Sequence, residues 1–389
     1  MNKLYEVCIF QGGSQPPKEE WSTEKKEGYI RMLQIRDFTQ SNKTVAEYVK
    51  LTNQIKMCNE DDILIARYGA SIGKILTGIA GAYNVAMIKA IPDETIINKK
   101  YLYFYLRSSY FQNYISNVGS RAAQAGFNKE DLANLNINCP SLEKQEYIAQ
   151  ILIKTELIIE LRKRQKRLLD DLIKAQFIEM FGDPTVNANG WVKITVKEAV
   201  KAGYIARPLD GNHGEKHPKG ADYVPEGVPF IMAQDLKNNQ VDFDNCYFIT
   251  EKQAKTLTKG WAKTGDVLLT HKGTIGRIAI VQPSEYENIL LTPQITYYRC
   301  LKDIDKEYLA AYFNTDFFND QMQRLVTGAT RACVTITQQE KLVLIIPPLE
   351  MQREFVSFVN QSDKSKVAIQ KSLDEMQLLF NSLMQKYFE

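Results

Sequence analysis

The sequence predicts an α+β protein: two similar globular domains and two long helices that pair antiparallel as a two-helix coiled coil, with a pseudo-two-fold internal repeat. Three observations carry this. The chain repeats itself at a constant offset, two stretches of 40 residues contain neither Gly nor Pro, and short apolar runs entered from turns recur in each copy. At roughly 150 residues per domain, 389 residues suit two or three domains.

The repeat comes first because it dictates the rest. Tyr101 and Tyr308 are 207 residues apart, as are Leu102/Leu309, Tyr105/Tyr312, Phe111/Phe318, Leu135/Leu342, Pro140/Pro347, Gln145/Gln352, Leu172/Leu379 and Phe181/Phe388. Upstream the offset drifts, as loop insertions require: Asp62/Asp266 and Gly69/Gly273 differ by 204, Gly73/Gly276 by 203 and Asp37/Asp235 by 198. The expected organisation is a domain over 1–139, a long helix within 140–184, a second domain over 185–346 and a second long helix over 347–389.

In the domains, Ile30–Ile35, Asp62–Ala66, Asp266–Thr270, Ile278–Val281 and Ile295–Tyr298 read as short strands. Lys99–Asn117 and Lys306–Leu325 read as aromatic-rich helices. Leu135–Asn138 and Leu342–Ile346 close each copy as strands before a proline boundary. The helices over 142–181 and 349–388 would each span about 60 Å and need a partner to bury a seam. A 4-3 spacing gives Ile148, Leu152, Thr155, Ile159, Arg162, Lys166, Leu169, Ile173, Gln176 and Met180, and in the second helix Phe355, Val359, Ser362, Lys366, Ile369, Leu373, Met376, Phe380, Leu383 and Tyr387. Parallel pairing sets Thr155 against Ser362, a layer with no apolar member. Antiparallel pairing gives every layer one, with Lys and Arg stems reaching outward.

Composition excludes several classes. Hydrophobic residues at 44% and charged residues at 24% are globular values, not those of a disordered chain. No run approaches 18 apolar residues, and Met1–Val7 lacks the apolar core of a secretion signal, so a cytoplasmic chain without membrane spans is expected. The six cysteines stand alone with no CxxC, which argues against zinc and for reduced thiols. His213 and His217 lie in a Gly- and Pro-containing loop, so no metal site is expected. A net charge of +3 permits nucleic-acid binding without demanding it.

No GxSxG, HExxH or GxGxxG occurs. Gly69–Lys74 falls one residue short of a phosphate loop, and Ile75 stands where Ser or Thr would hold magnesium; it reads as a tight turn with a basic tip. Gln15-Pro16-Pro17-Lys18 has the wrong flanks for the Asp/Asn-Pro-Pro-aromatic element of an amino-methyltransferase. No catalytic residues are assigned. What is present, twice, is a set of basic and amide loop residues, several of them at Gly turns and Gly/Ala loops: Arg36 beside the Ile30–Ile35 run, Arg67, Lys74, Arg121 and Gln124 in the first copy, and Gln234, His271, Lys272, Arg277 and Arg331 in the second. Arg31, Gln34 and Tyr68 lie close by in sequence. Arg and Lys suit guanine edges and phosphates, and Gln suits adenine. The alternative is solvated surface charge; recurrence at both turns and both loops strengthens the set. The run Arg162–Arg167 surrounds its helix axis, so not all of it faces one partner.

The doubled order of a variable domain, a proline boundary and a Glu-x-Gln helix start, in Pro140-Ser141-Leu142-Glu143-Lys144-Gln145 and Pro347-Pro348-Leu349-Glu350-Met351-Gln352, resembles the specificity subunit of type I restriction–modification enzymes. Met180-Phe181-Gly182-Asp183-Pro184 and the Asp-Ile/Val-Leu strands before the Gly turns look like the family too. The chain departs from it by entering its first domain almost at once. The resemblance implies two target-recognition domains, each reading half of a split site in double-stranded DNA, with the helices setting the gap. It implies a non-catalytic subunit on which two methyltransferase subunits dock and which motor-nuclease restriction subunits join. S-adenosylmethionine, ATP and magnesium would belong to those partners, with no cofactor in this chain. The competing readings are a coiled-coil adaptor that binds only protein, and the specificity portion of a fused nuclease-methyltransferase.

Overall fold

The computed structural model describes residues 2–40, 43–119, 126–214, 217–328 and 332–389. The chain forms two compact units, one of residues 1–164 with 369–389 and the other of residues 165–368. The first unit thus holds the first globular part, the start of the first long helix and the end of the second. The other unit holds the second globular part and the complementary helix segments.

In the first unit, one antiparallel sheet runs in the order Cys8–Gly12, Met87–Pro92, Ile63–Ala66, Ile75–Leu76. A second sheet runs Glu47–Lys50, Tyr29–Leu33, Gly81–Tyr83, Met57–Cys58. Asn2–Lys3 pairs with Asn136–Ile137. Ile63–Ala66 is buried at every position because alternate side chains enter two different cores. Ile63 and Ile65 join the aromatic helices, while Leu64 and Ala66 face Leu33, Leu76 and Tyr83. That double burial is why the strand reads as a continuous apolar run rather than an alternating one.

The second unit elaborates the same plan. Its larger sheet runs Leu209–Asp210, Ile295–Tyr298, Val267–Lys272, Thr274–Ile280, Asn239–Val241, Leu236–Lys237. A five-stranded sheet runs Tyr223–Val224, Tyr247–Ile249, Val228–Ile231, Ile289–Leu291, Trp261–Ala262. Val192–Thr195 pairs with Val343–Ile346. Val267 and Leu269 face one core and Leu268 another, repeating the division made by Ile63–Ala66.

Each expected aromatic helix is two helices. Lys99–Arg107 and Ser109–Gly119 break at Ser108, and Lys306–Phe313 and Asp316–Leu325 break at Asn314–Thr315. The physical reason is local competition for backbone groups. The Ser108 hydroxyl donates to the Tyr105 carbonyl at 2.6 Å and accepts from the Phe111 N–H. Thr315 does the same with Tyr312 and Phe318.

The long helices run Leu142–Phe181 and Leu349–Phe388. Every seam position expected from the 4-3 spacing is buried or half-buried. In the second unit the helix segments are antiparallel: Phe177 and Phe181 meet Phe355, and Lys366 reaches Asp170 at 2.7 Å. The Lys366 stem lies at the seam and its ammonium escapes to the two carboxylates of Asp170 and Asp363. In the first unit Ile148 and Leu152 share a core with Met384 and Phe388. The last turns depart from the spacing. Phe177 and Phe181 are more buried than Gln176 and Met180, and their repeat equivalents Met384 and Phe388 more than Leu383 and Tyr387. There the helix end enters a globular core as well as touching its partner helix, which moves the most buried stripe by one residue.

Candidate nucleic-acid interface

Both Gly turns sit at the ends of central strands, and both lie against the residues that follow the Gly/Ala-rich segments. In the first domain Ile63–Ala66 leads to Arg67, Tyr68 and a single 3-10 turn over Gly69–Ser71. Gly69 and Gly73 have φ of +70° and +76°, a conformation that disfavours any side chain with a Cβ. Tyr68 forms a β-bridge with Gly126, and the Arg67 Nε–H donates to the Phe127 carbonyl at 3.1 Å. The Arg67 guanidinium lies 5.1 Å from the centre of the Tyr68 ring, which is exposed. In the second domain Val267–Lys272 enters the turn at Gly273, φ +78°. Lys272 bridges Cys333, the Gly273 N–H donates to the Ala332 carbonyl, and His271 Nδ1 lies 2.9 Å from the Val334 carbonyl.

Lys74 follows the first turn, is exposed, and pairs with no carboxylate among the described residues. Its equivalent Arg277 follows the second turn on Thr274–Ile280. Arg277 Nη1 donates to the Ala233 carbonyl at 3.2 Å, which brings it beside exposed Gln234. The Thr270 hydroxyl, a contact the sequence left unsuspected, accepts the Arg277 N–H. Lys272 is half-buried at its strand end.

Two expected contact residues are engaged elsewhere. Arg36 is ion-paired with Glu47 at 2.5 Å, and Gln34 and Lys18 donate to the same carboxylate. Partial burial disfavours the charged form of Glu47, but hydrogen bonds and charge from Lys18, with Arg36 and Gln34, outweigh it and hold the carboxyl below its usual range. Arg31 is likewise committed, to buried Asp37. Any role of Arg36 at DNA must be shared with Glu47. His271 is only 2% exposed, so its side chain does not reach the surface as a base contact must. Burial pushes its ring below the ordinary value despite Asp210 Oδ2, 4.0 Å from Nε2. The reason is that this strand is covered on both faces as far as His271, and only Lys272 at its end is half-buried. Arg121, Gln124 and Arg331 lie outside the described residues.

Two histidines of the second unit approach buried Asp210, His213 Nε2 at 2.6 Å and His271 Nε2 at 4.0 Å, and Lys259 Nζ donates to it at 3.1 Å. Among the described residues no three His, Cys, Asp or Glu side chains converge as a metal site would need. All six cysteines are unpaired, and burial pushes the Cys8 and Cys300 thiols up to about 12. Among the described residues no helix is long and apolar enough to cross a membrane. In the basic run, Arg162 and Lys166 are half-buried at the seam while Lys163, Arg164 and Arg167 are exposed.

The arrangement offers two rims, each a Gly turn flanked by basic residues and braced by a second segment. It has the chemistry of phosphate and base-edge contact. The sequence matches the family described as the type I restriction modification DNA specificity domain over residues 1–170 and again over 190–376. The MjaVIII type I restriction enzyme specificity subunit of Methanocaldococcus jannaschii is 22% identical over 350 residues, 87% of this chain and 80% of that one. The EcoKI specificity subunit of Escherichia coli is 20% identical, covering 95% of this chain and 82% of that one. Among solved structures, a chain from a study of complex assembly and conformational transition of the type I R-M system superposes with a TM-score of 0.60 at 15% identity, covering 100% of this chain and 97% of that one. The type I S subunit from M. genitalium gives 0.55 at 14%, covering 100% and 95%. The chain belongs to the type I restriction–modification DNA specificity family, and its part is DNA recognition rather than catalysis.

Proposed function

We propose that each domain reads one half of a bipartite site in double-stranded DNA through its Gly-turn rim, and that the long helices set the gap and dock two methyltransferase subunits. Restriction subunits with motor and nuclease activity join that complex. S-adenosylmethionine, ATP and magnesium serve the partners, and the complex works in the cytoplasm. The observation that carries this reading is the doubled rim: Lys74 and Arg277 follow equivalent Gly turns, and each turn is bridged to an equivalent second segment. Lys74 and Lys272 suit phosphate contacts, while Arg277 with Gln234 suits a base edge.

The test is methylome sequencing of a host carrying the operon, followed by binding of the full chain with its methyltransferase partner to the site found. Exchanging residues 1–139 for those of another family member should replace one half-site and leave the other. Arg121→Ala should weaken recognition of one half-site and Arg331→Ala that of the other, each by roughly 1–3 kcal/mol if the contact is a bidentate base pairing. A phosphate contact would instead lower affinity for all sequences and flatten the salt dependence. A complex that bound only protein and no DNA would return the chain to the adaptor reading.

A further inference from the structure

We propose that Arg67 and His271 are equivalent positioning residues, each fastening the rim of its own domain by one side-chain N–H bond to a backbone carbonyl. The inference rests on the reading of the rims as DNA-reading surfaces, and it adds what holds them in place.

The two residues are the same position of the repeat. Arg67 and His271 differ by 204, the offset of the Asp62/Asp266 strand and the Gly69/Gly273 turn. Their acceptors Phe127 and Val334 differ by 207, the offset of the aromatic helices. The neighbouring bridges, Tyr68 with Gly126 and Lys272 with Cys333, obey the same two offsets. Two side chains of different shape therefore make one contact: Arg67 Nε to the Phe127 carbonyl at 3.1 Å and His271 Nδ1 to the Val334 carbonyl at 2.9 Å. A carbonyl only accepts, so Nδ1 carries the ring proton of His271 and Nε2 holds a lone pair when the ring is neutral. That Nε2 is buried without a hydrogen-bond partner among the described residues and faces Asp210 at 4.0 Å. The Val334 N–H returns a bond to the His271 carbonyl, closing a two-way clasp between strand end and rim. Nothing in the ring of His271 is left to touch DNA; its effect passes through Cys333, Ala332 and the turn they brace.

Amide substitutions separate clasp from charge. A Gln side chain places its nitrogen where Arg carries Nε, and an Asn side chain places its nitrogen where His carries Nδ1. The experiment uses the full chain in complex with its methyltransferase partner and measures competition between duplexes altered in one half-site or the other. Arg67→Ala should lower discrimination at the first domain's half-site about tenfold, the worth of one such hydrogen bond, and leave the other unchanged. Arg67→Gln should keep it. His271→Leu should lose discrimination at the second domain's half-site and His271→Asn should keep it. Segment-resolved hydrogen exchange on each variant shows whether the domain is folded, and if His271→Leu unfolds it, the Asn variant against His271→Ser decides. If Arg67→Gln falls with Arg67→Ala and the salt slope drops, Arg67 acts by its charge on phosphate and the clasp is refuted. Unchanged discrimination in Arg67→Ala and His271→Leu, or equal loss at both half-sites, also overturns it. A parent complex that shows no site-specific binding would instead overturn the reading on which the inference rests.

Discussion

In the first unit the hydroxyls of Tyr101 and Tyr105 donate to the carbonyls of Asn138 and Asn136; in the second, Tyr308 and Tyr312 donate to Ile345 and Val343. Gln145 and Gln352 are both fully buried, and each accepts from a helix-capping residue, Asn98 or Asp305, while donating to two carbonyls. Around this shared frame the larger sheets differ, with four and four strands in one unit against six and five in the other among the described residues. Where the chain needs to close a domain onto a long helix, every buried polar group must find a partner, and one solution is used twice. At the rims the two domains keep equivalent backbone bridges but carry different side chains, Arg67 and Tyr68 in one and His271 and Lys272 in the other. The repeat is a frame, and the candidate rims are what is hung on it.

The severest way to break the comparison is to remove a helix end from the core it enters. Phe388→Ala should cost the first unit about 3–5 kcal/mol, because its ring packs on Tyr101 with 5.0 Å between centroids and also reaches Tyr105. Phe181→Ala should do the same to the second unit through Tyr308 and Phe355. Hydrogen exchange resolved by segment reads each unit separately, and equal losses in both units from either variant would refute the assignment of helix ends to cores.

Gln145→Leu and Gln352→Leu sharpen the frame. Each strands a capping N–H and two carbonyls in a buried site, at about 1–3 kcal/mol for a stranded group. The two should have matching costs in urea melts. A large loss in one and none in the other would mean that the repeated geometry is not repeated energy.

The smallest effect concerns pH. Every histidine belongs to the second unit, and the position of His271 is taken by Arg67 in the first. Burial holds His271 and His217 below the ordinary value of about 6.5, so on acidification the unfolded chain takes up their protons before the folded one does. The histidine contribution to the stability of the second unit should therefore fall as pH drops through about 6.5, by at most about 1.4 kcal/mol per pH unit for each proton, against an opposite contribution from Asp235 and Glu307, whose carboxyls burial raises, while the first unit has no histidine to titrate. His271→Asn should reduce the slope. Hydrogen exchange at about pH 7.5 and 5.5 measures it, and a first unit that loosened equally would contradict the histidine origin.

The repeat, the two long helices, their seam and the Gly turns were all legible in the residues, because each is a matter of spacing along one chain. Periodicity fixes which side of a helix is apolar, and Gly at a repeated position marks a backbone that needs positive φ. The aromatic helices were legible as helices but not as broken ones, since Ser108 and Thr315 break them by bonding to the backbone rather than by shape. At the candidate rims Lys74, Gln234 and Arg277 are exposed and Lys272 half-buried, whereas His271 is buried and Arg36 is paired with Glu47. Whether a strand-end side chain is exposed depends on how far the strand is covered on both faces, and whether an arginine is free depends on an acid eleven residues away on a neighbouring strand. The doubled architecture is written in offsets of 207 and 204 that need no packing to be seen. That Arg67 and His271 make the same bond, and that Met384 and Phe388 belong to the core of the first domain, emerges with the folded chain, because both are contacts between segments whose separation in sequence carries no signal of their meeting in space.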